Sequence, residues 1–209
     1  MIALVSVLPF ATSLAQDLPA ATPVGDGGDP RWEFSLAAFY VDPPGDGPHA
    51  TTVLYADRDQ LHLEARYNYE DLDTASVFAG WTLEFGEEVH AAITPMLGGV
   101  FGETSGVAPG LLVDGGWSKL RFYAEAEYLF DSDDSDDDYF YSWSTLTWQF
   151  SEEFAAGIVT ERTRIVDTDL DLQRGLAVSF TPGPVGFALY VYNPASDDAY
   201  TTLSLDFAF

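Results

Sequence analysis

The sequence contains no cysteine and few cations: eight Lys and Arg stand against 34 Asp and Glu, a formal net charge of −26. The first absence excludes disulfides and thiolate metal sites. The second excludes nucleic acid as a partner, because no basic row exists to neutralise phosphates. Beyond the first fifteen residues no stretch approaches the roughly 18 to 20 apolar residues that a membrane helix needs. Any membrane residence therefore falls to strands. What the chain does have is aromatic side chains, 15% of residues, within a hydrophobic content of 47%. That content is too high for a disordered acidic chain. Acids and aromatics must then be segregated in space.

The apolar run Ile2 to Leu8 is followed by Ser13 and Ala15, small residues spaced for a signal-peptidase site, so residues 1–15 are expected to be a signal peptide cleaved near Ala15. Residues 16–30, rich in Pro, Gly and Asp, are expected to form a flexible lead-in. From Arg31 the pattern changes to alternation with period two. Strands are expected at 32–40, 50–57, 60–69, 75–85, 88–98, 109–117, 119–130, 139–150, 153–165, 171–181, 184–193 and 199–209. Each is close to the roughly 9 to 11 residues of a tilted membrane-crossing strand, and their number is even. The expected fold is all-β, a single antiparallel transmembrane β-barrel of about twelve strands over residues 31–209.

Alternation alone does not tell a lipid-facing barrel from a soluble one. On 60–69, Leu61, Leu63, Ala65, Tyr67 and Tyr69 oppose His62, Glu64, Arg66 and Asn68. On 119–130, Leu120, Phe122, Ala124, Ala126, Tyr128 and Phe130 oppose Arg121, Tyr123, Glu125 and Glu127. Three further patterns favour lipid. Tight turns at 57–60, 86–88, 151–153 and 181–184 alternate with longer connections such as 41–49, 99–108 and 131–138. The longer set is acidic, with the run Asp131 to Asp138 and without Lys or Arg. Aromatics gather at strand ends: Trp32, Phe85, Trp117, Trp148, Phe150, Phe154, Phe180 and Phe209 at one end, Tyr40, Tyr67, Tyr69, Tyr128 and Phe130 at the other. Two aromatic girdles are expected of a spanning barrel.

The last strand, residues 200–209, places Leu203, Leu205, Phe207 and Phe209 on one face and ends on Phe209. In this the chain resembles bacterial outer-membrane β-barrel proteins, whose closing strand is read by the barrel-assembly machinery. The resemblance implies an outer-membrane location, a periplasmic lead-in, Phe207 and Phe209 as the assembly signal, and lipopolysaccharide as a lipid partner. The expected role is a small passive, porin-like channel with a mixed-charge lumen. A structural, envelope-organising barrel is the alternative, and a lipid-modifying enzyme is third. No cofactor is expected.

Charges within strands should face the lumen, since a lipid-exposed Arg or Lys at mid-depth costs about 2–4 kcal/mol. That makes Glu64, Arg66, Asn68, Arg121, Glu125, Glu127 and Glu161 the lumen and selectivity candidates. Small inward residues (Gly80, Ala92, Gly98, Ala177 and Ala188) are expected to leave room for a narrow bore. Arg162, Arg164 and Arg174 break the pattern: strict alternation puts them outward against lipopolysaccharide phosphates. A bulge around Thr163 would turn them inward to the carboxylates, and electrostatics favours the lumen. His62, Glu84 and His90, with Glu33, have inward parity near one end and are weak metal candidates without ligand spacing. Ser142, Ser144 and Ser204 sit in no hydrolase signature, so no enzyme is expected. Residues Asp167 to Asp171 resemble the start of an EF-hand loop, but Leu172 and Val178 stand where its glycine and glutamate belong. The acidic connections are expected to bind divalent cations only weakly and diffusely, if they are more than a solvated, repulsive outer rim.

Overall fold

The computed structural model describes residues 31–43, 47–86, 88–165 and 171–209. The expected signal peptide and lead-in lie outside the described residues, as does most of the EF-hand-like run. Thirteen strands follow in chain order: β1 (Glu33–Asp42), β2 (His49–Arg58), β3 (Leu61–Tyr67), β4 (Thr74–Trp81), β5 (Leu83–Phe85), β6 (Val89–Gly102), β7 (Gly106–Trp117), β8 (Leu120–Asp131), β9 (Tyr139–Gln149), β10 (Phe154–Ile165), β11 (Asp171–Phe180), β12 (Val185–Tyr192) and β13 (Tyr200–Ala208). Each pairs antiparallel with its neighbours, β1 pairs with β13, and the β4–β6 pairing closes the sheet on itself. The short β5 continues β4 past Thr82 in unchanged register along β6: Gly80 faces Met96, and Leu83 faces Ile93. The result is a closed twelve-strand antiparallel barrel with one extra short strand. All twelve expected strands are present.

Connections alternate as expected, and the end bearing the longer ones is here the outer end. One expected loop is much shorter. β6 and β7 run on through the Gly-rich stretch expected to loop, leaving only 103–105 between them. Small side chains there suit a tightly paired hairpin, and Gly106 is packed so closely against the Phe130 carbonyl that a Cβ would clash.

Burial alternates along nearly every strand. On β8, Tyr123, Glu125, Glu127 and Leu129 are buried while Phe122 and Phe130 are exposed. The outward face is apolar over its whole circumference, including Leu36, Leu54, Val77, Leu97, Leu111, Ile158, Leu176, Leu189 and Leu203, all exposed. Trp81, Phe85, Trp117, Trp148 and Phe154 ring the inner end, and Tyr40, Tyr67, Phe101 and Phe130 the outer end. A soluble barrel would turn this face inward; here it is left on the surface. Phe209 closes the last strand by exchanging backbone hydrogen bonds with Phe34 (2.9 and 3.3 Å) and stacking on its ring.

Candidate functional site: the lumen network

Strand parity builds the site. On β3, His62, Glu64 and Arg66 point inward one above the other, facing Glu125 and Glu127 on β8. The ladder then breaks. Asn68 takes a left-handed φ of 54° and the connection 68–73 folds into the lumen, burying Tyr69 and Glu70. The expectation of Tyr69 as an outer girdle residue is thereby corrected. Asn68 is corrected as well. It lies in the connection, with Nδ2 donating to the Ala50 carbonyl (3.2 Å) and Oδ1 accepting from the Asp73 amide (2.9 Å). It braces this loop and does not line the lumen.

Arg66 is the centre of the arrangement. Its side chain is fully buried: Nε donates to Glu64 (2.6 Å), and Nη1 to Glu127 (2.8 Å) and Glu70 (3.2 Å). The guanidinium lies 3.9 Å from the ring centre of Phe78 and 4.5 Å from that of Tyr69. Phe78 can lie flat on the wall because the residue opposite is Gly98, where any Cβ would run into the ring. His62 bridges Asp57 and Glu64, 2.7 Å from each, extending the chain towards the inner end. Glu70 also accepts from Ser76 (2.6 Å), and Glu125 from the Tyr69 hydroxyl and from Tyr123 (3.4 Å). Four carboxylates, Glu64, Glu70, Glu125 and Glu127, thus surround one guanidinium and one imidazole. Glu70 Oε2 and Glu127 Oε1 have no hydrogen-bond partner among the described residues.

Aromatic side chains carry the contact across the lumen, a feature the alternation reading missed. Tyr69 meets Tyr141 edge-on (6.1 Å), Tyr123 meets Trp143 (5.8 Å), and Trp143 meets Tyr190 (5.6 Å). Trp143 Nε1 donates to the Tyr192 hydroxyl (2.9 Å), Tyr192 stacks on Tyr200 (4.6 Å), and Tyr200 donates to Glu161 (3.2 Å). β9 and β12 are separated by two strands in the wall, so the Trp143–Tyr192 bond is a chord across the interior. The signal was present in β9, where Tyr139, Tyr141 and Trp143 share parity with Thr145 and Thr147. Gly80 and Gly98, two of the five small inward residues, do not widen a bore as expected. Phe78 fills the space at Gly98, and a Cβ at Gly80 or Gly110 would stand 2.9 Å from Thr94 or 2.7 Å from Met96.

The remaining candidates are dispersed. Arg121 sits at the inner end, donating to the Ser118 (2.8 Å) and Leu120 (3.1 Å) carbonyls, outside the Arg66 network. His90 pairs with Asp114 (3.1 Å), and Glu84 is exposed at the same end. With His62 held by Asp57 and Glu64, the three are not brought together. No group with metal-holding geometry occurs among the described residues. Ser144 bonds Thr160 (2.9 Å) and Ser204 bonds Asp206 (3.3 Å).

The three arginines face outward. β10 keeps unbroken register with β9, from Ala155 opposite Gln149 to Ile165 opposite Tyr139, and with β11 from Phe154 to Thr163. There is no bulge at Thr163, and Arg162, Arg164 and Arg174 are exposed. The expectation that electrostatics would turn them into the lumen is overturned: paired register leaves no spare residue to change their parity.

Comparison with known proteins places this architecture. Two solved structures, described as "KdgM porin" and "KdgM porin in complex with disordered oligogalacturonate", superpose with TM-scores of 0.57 and 0.58. Each alignment covers 85% of this chain and 99% of the other at 13% identity. The fold is that of an outer-membrane porin barrel. No family model matches the chain, and no curated protein does. At 13% identity the likeness carries the fold and not the lumen chemistry, which rests on the residues above.

Proposed function

We propose that this protein is an outer-membrane channel of small bore whose path runs past Glu64, Glu70, Glu125 and Glu127 and favours small cations. The carrying observation is the excess of buried carboxylates over cations around Arg66. Glu70 Oε2 and Glu127 Oε1, buried without a partner among the described residues, are the oxygens that a cation entering the network would satisfy. Glu33 and Glu84 at the inner mouth and the Asp-rich connection 131–138 add the same sign at both ends. The exposed apolar face, the two girdles and the likeness to a porin support residence in the outer membrane. The KdgM structure with oligogalacturonate points to a contrast in cargo, because a carboxylate-rich lumen repels an acidic oligosaccharide.

Planar-bilayer recording tests the proposal. The refolded chain should show small conductance and a reversal potential on the cation side under a KCl gradient. The triple variant Glu64→Gln, Glu125→Gln, Glu127→Gln should lose most of that preference. A second reading, a closed structural barrel, is favoured by the aromatic chord from Tyr123 through Trp143 and Tyr192 to Tyr200. It becomes the better one if neither the parent nor Trp143→Ala conducts.

A further inference from the structure

Of the eight basic residues, Arg31, Arg58, Lys119 and Arg121 belong to the inner end and Arg66 to the lumen. The other three, Arg162, Arg164 and Arg174, share one outward patch near the outer end of β10 and β11. Arg162 stands opposite Leu172, and Arg174 opposite Thr160, so the two are diagonal neighbours on one face. Such neighbours, like Arg162 and Arg164 two apart on one strand, lie within about 8 Å of each other. Three like charges at this spacing repel unless an anion sits among them, and more so where lipid lowers the dielectric.

The height of the patch limits what that anion is. Phe154 belongs to the inner girdle, and Arg164 lies ten residues further along β10. At about 3.3 Å per residue and a tilt of about 40°, that is about 25 Å, the height of the apolar band of such barrels. Arg174 exchanges bonds with Asn193, where β12 gives way to the outer connection, its carbonyl accepting from the Asn193 amide (2.7 Å) and its amide donating to Asn193 Oδ1 (3.2 Å). Directly below, the outward face carries Ser144 and Thr160 and then turns apolar at Leu146, Ile158 and Leu176. Arg164 therefore stands where a lipid headgroup begins, and Arg162, two residues lower, and Arg174, opposite Thr160 and four residues lower, reach that level with their long side chains. No ion pair among the described residues includes them.

We propose that Arg162, Arg164 and Arg174 form a binding site for the sugar-linked phosphate groups of an outer-leaflet glycolipid such as lipid A. Guanidinium groups meet phosphate oxygens in bidentate geometry, and their stems lie along the apolar wall beside acyl chains. In a chain of net charge −26 the patch gives a single lipid-facing point at which an anionic leaflet is held, and it fixes the depth of the β10–β11 sector. The site rests on the membrane-spanning reading of the barrel.

Native mass spectrometry of the full-length refolded barrel in detergent tests it, titrating in diphosphoryl lipid A, its dephosphorylated form, or phosphatidylglycerol. Diphosphoryl lipid A should be retained at least tenfold more tightly than either of the others. The triple variant Arg162→Gln, Arg164→Gln, Arg174→Gln should abolish that difference. Neutralising Arg31, Arg58 and Lys119 at the opposite end should leave it intact. Equal retention of the dephosphorylated lipid or of phosphatidylglycerol overturns the site, as does undiminished binding by the triple variant. A barrel that folds, with heat-modifiable gel mobility and insertion into vesicles, yet shows no lipid A preference refutes this inference alone. Failure to insert refutes the membrane reading beneath it.

Discussion

Replacing Arg66 by Met keeps much of the stem volume, removes the charge, and tests whether the lumen network is held by its one guanidinium. The substitution leaves Glu64, Glu70 and Glu127 facing one another without the group that now bonds all three at 2.6, 3.2 and 2.8 Å. Removing one partner of a buried ion pair costs about 3–5 kcal/mol, chiefly through the charges left behind. Lost contact with the Phe78 and Tyr69 rings adds up to about 2 kcal/mol when desolvated. Because the abandoned carboxylates dominate, adding Glu127→Gln to Arg66→Met should return about 1.5–3 kcal/mol, the worth of a charge-assisted hydrogen bond. Glu127→Gln alone should cost less than Arg66→Met, since Glu64 and Glu70 still hold the guanidinium. Urea unfolding of vesicle-inserted barrels, followed by tryptophan fluorescence and by gel mobility, measures all four corners of the cycle. A loss below about 1 kcal/mol for Arg66→Met, or plain additivity of the two substitutions, would show that the network is incidental to the fold.

Trp143→Ala removes the hub of the aromatic chord at a cost of about 3–5 kcal/mol, and single-channel conductance should rise; unchanged conductance would place the constriction elsewhere. Gly98→Val should displace the Phe78 ring and unseat Arg66, destabilising the barrel more than Gly115→Val, where a Cβ would meet nothing closer than 3.5 Å, as judged by urea midpoints. Deleting Phe209 should slow assembly in cells more than deleting one residue from 132–138, read as the fraction of chain with heat-modifiable mobility. Spin labels at 162 and 174 should be quenched by lipid-borne relaxation agents, and protection at both would return these positions to the lumen.

The barrel was legible because a strand's period of two records which face meets which medium, and twelve strands record it repeatedly. The interior was less legible for a related reason. Parity says that Phe39, Tyr55, Phe78 and Trp143 point inward, but reading aromatics as girdle residues hides the fact that a twelve-strand interior must itself be filled or left wet. Glycines at inward positions were equally misleading. Gly98 is small because Phe78 occupies its place, so a small residue on one strand marks a large one on the next. Tyr69 and Glu70 were beyond the pattern altogether. Their burial depends on the left-handed turn at Asn68, which changes which side of the wall the following residues reach.

The rim arginines show which of two physical demands governs such a wall. Carboxylate excess in the lumen pulls guanidinium groups inward, and moving three of them would nearly balance Glu64, Glu70, Glu125 and Glu127. A bulge at Thr163 reverses parity only beyond it on β10, so bringing all three inward takes breaks in both β10 and β11, each leaving ladder groups unpaired in a wall that has no water on its lipid side. An outward arginine near the interface costs only about 0–1 kcal/mol. An unpaired backbone group in hydrocarbon costs several. Register therefore holds, the arginines stay outside, and the lumen keeps its negative excess. The same constraint that denies the carboxylates their counter-charges leaves them available to a mobile cation and leaves the outer rim available to phosphate. The two proposed activities follow from one unbroken pairing of β10 with its neighbours.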